Sequence, residues 1–386
     1  MSKYSKIYFL GIGGIGMSAI ARYYKFKGYP VAGYDRTQSE LTLELEKEEI
    51  DIHYKDDPDY IPKDVASTLV VYTPAIPEDL QEFVYVKEHG YTLVKRSRML
   101  GELAEGQTCL AVAGTHGKTT TSTLVAHILT ESGKGCSAFL GGISKNYNTN
   151  LLTSHTPTIV AEADEFDRSF HWLRPWMSVI TATDPDHLDI YGTKEAYLES
   201  FRHYTTLIQP GGALIIHRDL EMKQAVQEGV KVYDYSRHEG DFHAENIVID
   251  NGTITFDFIS PIENVKGVKL GQPVPINIDN GIAAMAMAQL AGCNAEELKY
   301  GMKTYHGVDR RFDFKINDSR HVLLSDYAHH PKEIYQSAKS IRELYSGRHI
   351  TAIFQPHLYT RTRDFYRDFA DALSQQSLEI GRASCR

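Results

Sequence analysis

An α/β architecture of successive strand–helix units is what this sequence predicts, and three observations carry the prediction. Short apolar runs alternate along the chain with segments of helical periodicity. Two of those runs feed directly into glycine turns, Gly11–Gly16 and Gly114–Thr121, each followed by helix-forming sequence. Polar and acidic clusters follow other runs, at the strand carboxyl ends where open α/β sheets bind ligands. With 386 residues, 42% hydrophobic and 24% charged, the chain has an ordinary globular composition with room for two or three domains.

The first unit reads strand (Lys6–Leu10), glycine turn (Gly11, Gly13, Gly14, Gly16), helix (Met17–Phe26) and strand (Pro30–Tyr34), closing on Asp35. Those glycines permit a tight turn and let a pyrophosphate approach the helix end, and Asp35 stands where a dinucleotide fingerprint expects an acid. Alone, this fits a nicotinamide dehydrogenase or a bare turn. A second phosphate loop one unit later favours an enzyme that holds a nucleotide-linked substrate beside ATP. Thr68–Tyr72 reads as a buried strand, Pro74–Pro77 as a loop lining the first site, and Arg98–Glu105 as a connecting helix.

The second unit opens on the strand Cys109–Ala113 and the loop Gly114-Thr115-His116-Gly117-Lys118-Thr119-Thr120. Backbone N–H groups and the helix N-terminus would face the nucleotide phosphates, Lys118 would supply a point charge, and the Thr119 hydroxyl would reach Mg²⁺. Gly114 lies three residues before Gly117, so the loop is shorter than the full Walker spacing. Strands are expected at Thr158–Ala163, Met177–Ala182 and Gly212–Ile216, added β structure over Val232–Phe258, a helix at Ile282–Leu290, and an Asn294-capped helix at Ala295–Met302. Glu162-Ala163-Asp164-Glu165-Phe166-Asp167 follows a strand and suggests a Mg²⁺ ligand or a solvated acidic loop. His187, among Asp184, Asp186 and Asp189, is a second metal candidate or a structural histidine.

The third unit follows Arg310-Arg311, a pair either solvated or able to swing onto a terminal phosphate. Strands His321–Ser325 and His349–Phe354 and helices Lys332–Leu344 and Thr362–Leu373 are expected. Polar clusters at Asp326–Pro331 and Gln355–Arg363 follow the two strands. The net charge of −9 argues against nucleic acid as a partner, and no apolar stretch approaches the length of a membrane span. Strand sequence follows the first few residues directly, so no signal peptide is expected. The four cysteines have neither metal nor redox spacing, and a cytoplasmic protein is expected.

In order along Lys6 to about Leu373, these motifs resemble the Mur ligases, ATP-dependent amide-forming enzymes of peptidoglycan precursor synthesis. Leu140-Gly141-Gly142 and Gly307–Phe312 complete the set. The resemblance implies three domains: a Rossmann-like UDP-sugar domain (1–105), a P-loop ATPase domain (106–311) and an incomplete Rossmann-like amino-acid domain (312–386). It implies Gly11, Gly13, Gly14 and Gly16 at the UDP diphosphate, and Gly114–Thr120 with Lys118 at the ATP phosphates. Thr119, Glu162 and His187 would serve Mg²⁺, Asn280 and Arg310 would contact adenine and the terminal phosphates, and Asp326 would reach the nucleotide from the third domain. His329, His357 and Arg361 would border the amino acid, and Lys118, His187 and Arg310 would be catalytic. Within the family, the likeness is to the branch that joins L-alanine to UDP-N-acetylmuramate through an acyl phosphate. A murein-peptide recycling ligase, an inactive fragment that only binds UDP-sugar and ATP, and a dehydrogenase are the alternatives. The family pattern has His-Asn before its adenine-side helix and a second Asn within it, against Asp279-Asn280 and Ala283 here; some relatives carry a basic residue at Leu358. The octapeptide 379–386 resembles a translated sequencing-adapter oligonucleotide, which leads to the expectation of a truncated third domain with an unnatural tail.

Overall fold

The computed structural model describes residues 3–250, 252–318, 320–345, 347–356, 359–374 and 379–382. Its first sheet is built from β1 (Lys6–Leu10), β2 (Val31–Tyr34), β3 (Asp51–His53), β4 (Thr68–Tyr72) and β5 (Thr92–Lys95). All run parallel in the order β3-β2-β1-β4-β5, with α1 (Ile15–Phe26), α2 (Glu40–Lys47), α3 (Gln81–Glu88) and α4 (Arg96–Ala104) between them. A parallel sheet is covered on both faces, and β1 obeys that rule residue by residue. Ile7 and Phe9 pack on one side, Tyr8 and Leu10 on the other.

The central sheet has β6 (Thr108–Ala113), β7 (Ser137–Ser144), β8 (Thr149–Leu152), β9 (Thr158–Ala163), β10 (Met177–Ile180), β11 (Ala213–His217) and β12 (Lys231–Tyr235). Their order is β12-β11-β10-β6-β9-β7-β8, parallel except for the β7–β8 hairpin. The chain winds to either side of β6, so the loop after β6 lies at the switch point where such sheets open a crevice. One face of the sheet packs on α5 (Lys118–Glu131), and the other on α7 (Lys194–Thr205), which follows the short α6 (Leu188–Tyr191). An antiparallel sheet of β13 (His243–Asp250), β14 (Thr253–Ile259) and β15 (Val265–Lys269) follows. Then come α8 (Asn277–Leu290) and α9 (Ala295–Thr304), the latter capped by Asn294, which accepts from Glu297 N at 3.0 Å.

The third unit pairs β16 (Asp313–Asn317) with β17 (Val322–Ser325), continues through α10 (Pro331–Leu344), β18 (Thr351–Phe354), α11 (Tyr359–Asp364) and α12 (Tyr366–Ser374), and ends on β19 (Glu379–Arg382). β19 lies parallel to β18, so four residues of the expected unnatural tail form a strand; residues 383–386 are outside the described set.

Several boundaries differ from expectation. α8 begins at Asn277 rather than Ile282, because a polar first turn carries no apolar period, so Asn280 sits inside the helix. The helix expected over Thr362–Leu373 is two helices with a break at Phe365. β7 and β8 have no counterpart among the expected strands, and Gly141-Gly142 lies within β7.

Candidate active site

The phosphate loop is shaped by two backbone requirements. Gly114 has φ +131°, and a side chain there would collide with Thr181; Gly117 has φ +79° and a Cβ would lie 2.6 Å from Asn280 Oδ1. Gly117 caps α5, so Lys118, Thr119 and Thr120 form the first helical turn, whose N–H donors have no intrahelical partner. The loop is tied to the segment after β10. Thr115 N donates to Ala182 O at 3.0 Å, Thr115 Oγ1 to Asp184 O at 2.7 Å, and Thr181 Oγ1 to His116 O.

Lys118 Nζ donates to Gly114 O at 2.7 Å and to both Glu165 oxygens at 2.7 and 3.0 Å. Burial alone would push the lysine down, but the charges of Glu165 and its acidic neighbours override it and raise it, so it stays an ammonium. Glu162, at the end of β9, accepts from Gly141 N at 2.7 Å, Ser122 Oγ at 3.2 Å and Thr119 Oγ1 at 3.3 Å. Two of the predicted Mg²⁺ residues are thus adjacent, and Gly141 orients one of them. His187 precedes α6 in the left-handed region (φ 54°), its N–H donating to Asp186 Oδ1 at 2.8 Å. His187, Lys118, Thr119, Glu165, Arg311 and His329 are among the residues lining a cavity of about 120 Å³. Among the described residues, no three histidine, cysteine or carboxylate side chains form a ready-made metal cluster.

A neighbouring cavity of about 500 Å³ extends from Gly117 and Thr120 past Asn280 to Tyr235, Arg237 and Asp326. Asn280 Nδ2 donates to Asn277 Oδ1 at 3.1 Å, which aims its carbonyl at the loop. Asp279 is paired with Arg237 at 2.6 Å. Asp326 accepts from Phe312 N at 3.2 Å and from Ser337 Oγ, and burial pushes its carboxyl up.

The third unit reaches this region from α10 and α11. His329 Nδ1 donates to Tyr327 O at 2.8 Å, and burial pushes its ring down. Arg361 is buried, its guanidinium 3.2 Å from Asp186, so the structure places it on a carboxylate of the His187 segment. His357 lies outside the described residues. Arg310 is exposed with φ 59°, while Arg311 lines both cavities and lies over the Tyr327 ring at 5.2 Å. The resemblance implied Arg310 at the terminal phosphates; of the two arginines, the structure brings Arg311 and not Arg310 to the cavities. Glu165, Lys332 and Glu333 are further charged groups at the site. Glu165 was visible within an acidic run, whereas Lys332 and Glu333 looked like an ordinary first helical turn.

At the first glycine turn, Gly11 has φ +84°, and Gly13 N donates to Asp35 Oδ2 at 2.7 Å. That carboxylate therefore braces the turn itself, where a dehydrogenase would direct it to a ribose. The Arg96 guanidinium lies beside Gly16 and pairs with Asp164 at 3.2 Å, linking the two glycine-turn units.

Family comparison matches the chain in three stretches: residues 6–108 to the Mur ligase family catalytic domain, 112–288 to the Mur ligase middle domain, and 310–380 to the Mur ligase glutamate ligase domain. The UDP-N-acetylmuramate–L-alanine ligase of Phocaeicola vulgatus is 62% identical over 372 residues, covering 95% of this chain and 81% of that protein. The UDP-N-acetylmuramate–alanine ligase structure from Thermotoga maritima matches with a TM-score of 0.82 at 26% identity, over 98% of this chain and 90% of that one. A murein peptide ligase from Psychrobacter arcticus shares the fold, with a TM-score of 0.72 at 21% identity over 99% of this chain and 91% of that one.

Proposed function

The chain belongs to the Mur ligase family, and from that premise we propose that it joins L-alanine to the lactyl carboxylate of UDP-N-acetylmuramate, converting ATP to ADP and phosphate. One observation carries the reading: Lys118 and Thr119 of the phosphate loop share a small cavity with Arg311 at the domain junction and His329 of the third domain. A carboxylate is a poor acyl donor, so its oxygen first attacks the γ-phosphorus and ADP leaves, giving an acyl phosphate. The neutral amine of L-alanine then attacks the carbonyl, inorganic phosphate departs, and the amine gives up its proton. All the phosphate-bearing reactants are anionic, so catalysis rests on positioning and on cations that offset the repulsion.

Lys118 sits where the β- and γ-phosphates would lie, with Arg311 beside it, and Arg310 joins them only if the 307–312 segment turns. Thr119 and Glu162 offer the hard oxygen donors that Mg²⁺ favours, His187 lines the same cavity, and the ion would supply further charge neutralisation. Asn280 and Asp326 border the larger nucleotide cavity. The turn at Gly11, Gly13, Gly14 and Gly16 takes the UDP diphosphate, and His329 faces the amino acid. Domain limits at 105/106 and 311/312 and a cytoplasmic setting complete the reading. No helix among the described residues is long and apolar enough to cross a membrane.

Phosphate release by the full chain with ATP, UDP-N-acetylmuramate and L-alanine tests the reading. Activity with L-alanine, little with a murein tripeptide, and a roughly 10²–10³-fold lower kcat for Lys118→Ala are expected. Wild-type kcat in Lys118→Ala would refute the role of the loop. Preference for the tripeptide would favour the recycling reaction.

A further inference from the structure

We propose that Lys332 and Glu333 are positioning residues that clasp the third domain onto the phosphate loop, Lys332 docking on Asp184 and Glu333 on His116. The proposal rests on the ligase reading and deepens it: the clasp would assemble the amino-acid half of the site over the nucleotide half.

The two side chains sit in the first turn of α10. Glu333 uses one oxygen locally, Oε2 accepting from His329 N at 3.0 Å and His330 N at 3.2 Å. Its other oxygen, Oε1, lies 3.2 Å from His116 Nδ1 in the phosphate loop. The same carboxylate therefore fixes the backbone that presents His329 and reaches the nucleotide loop 217 residues away in sequence. His116 Nε2 lies 3.4 Å from Asp184 Oδ2, and Asp184 Oδ1 takes the Lys332 ammonium. Lys332 and Glu333 are chain neighbours, so Lys332, Asp184, His116 and Glu333 close a ring of alternating charge.

Burial would push His116 down, but the neighbouring carboxylates of Asp184 and Glu333 prevail and raise it to about 9, so it is charged at neutral pH. The adjacent His330 ring, 5.1 Å away, is driven the other way, to about 4, by burial and by the His116 charge. The ring is neutral overall, so closing it brings no net charge to the Lys118 site.

Geometry at the other end of the domain makes a clasp useful. The connection carries three left-handed residues in quick succession, Gly307 (φ 93°), Arg310 (φ 59°) and Phe312 (φ 46°). For a bulky residue such as Phe312 that conformation is strained, and strain of this kind gathers at switch segments. Just beyond it, buried Asp313 is held by Lys145 at 2.6 Å, which anchors the pivot. The third domain's buried apolar cluster, Ile334, Phe369 and Ala372, is separate from the central clusters. Charge pairs therefore set its seat: the ring, together with Arg361 on Asp186.

The test uses the full chain with Lys332→Ala, Lys332→Arg and Glu333→Gln. It measures ATP affinity by calorimetry, kcat and the L-alanine KM by phosphate release, and compactness by small-angle scattering with ATP, Mg²⁺ and UDP-N-acetylmuramate. Lys332 is mostly exposed, so its variants should fold even if Glu333→Gln does not. The L-alanine KM should rise about 5-fold in Lys332→Ala with a more extended particle, ATP Kd should change by less than that, and Lys332→Arg should restore both KM and compactness. Wild-type KM and wild-type scattering in Lys332→Ala would overturn the clasp. So would a loss of ATP affinity as large as the KM effect, which would make these residues mere supports of the loop. If the wild-type chain forms no product with L-alanine, the ligase reading fails, and scattering still decides the clasp: variants as compact as wild type refute it, and opened variants uphold it.

Discussion

The central domain meets its two neighbours in different ways. Toward the first domain, one continuous apolar cluster runs from Ile7, Phe9 and Met99 into Phe139, Leu151 and Phe170, with the Tyr23 and Phe139 rings 5.2 Å apart. Buried Asn150 completes that contact, donating to Ile15 O at 2.5 Å and Ser18 Oγ at 2.9 Å while accepting from the Arg22 guanidinium. Toward the third domain, the close contacts at the site are ion pairs: Asp184 with Lys332, His116 with Glu333, and Asp186 with Arg361. Apolar burial is lost only by exposing the surface to water, whereas charged partners that come apart are rehydrated, which offsets much of the attraction they lose. The first contact suits a permanent platform of two joined domains, and the second suits the clasp proposed above.

The platform side should break most severely. Asn150→Leu takes one acceptor from the buried Arg22 guanidinium, which keeps Glu48, and one donor from the Ile15 carbonyl, which keeps Ser18 Oγ, and should destabilise the protein by about 1–3 kcal/mol in urea unfolding. First and central domains should still unfold in one transition, because they share a core. A Tm equal to wild type would show that the contact is not the fixed joint described.

On the other side the effect should depend on pH. His116 is raised from 6.5 to about 9, so its contribution is fully present below about pH 6.5 and is lost as pH climbs through 9. The groups facing it are Asp184, Glu333, Lys332 and neutral His330. Differential scanning calorimetry should show Tm falling by about 2–4 °C across that interval, and His116→Gln should flatten the slope. An unchanged slope in the variant would remove His116 from the contact.

Much of this was legible in sequence because it is local. A strand, a glycine forced to positive φ and a helix start are neighbours in the chain, so both glycine turns and the Asn294 cap could be read directly. Three features escaped for physical reasons. Gly141 and Gly142 extend a strand because Glu162 and Val308 press where side chains would stand, a crowding that no local pattern reveals. The first turn of α8 is polar because it faces a cavity, which erases the helical period there. Lys332 and Glu333 act through Asp184 and His116, and a pairing across so many residues leaves no mark in spacing.

The smallest expected effect lies within the platform and separates the two sides. Glu82 is buried in the first domain, accepting from Tyr8 OH at 2.6 Å and Asp57 N at 3.2 Å, and burial pushes its carboxyl up to about 7. A carboxyl raised in the fold favours folding while protonated, so the folded state loses stability as pH rises from about 4.5 through 7. That window lies below the one set by His116, so the two sides of the central domain should respond to pH in succession. Glu82→Gln retains an acceptor for Asp57 N, and its amide can donate to Tyr8 OH, which then donates to His53 Nε2, 2.6 Å away. The variant should match wild type at pH 5 and exceed it by about 1 °C or more in Tm at pH 8, with the slope above about pH 8 unaltered. If Glu82→Gln also changed that upper slope, the first and third domains would be coupled through the central sheet, and the division into platform and clasp would fail.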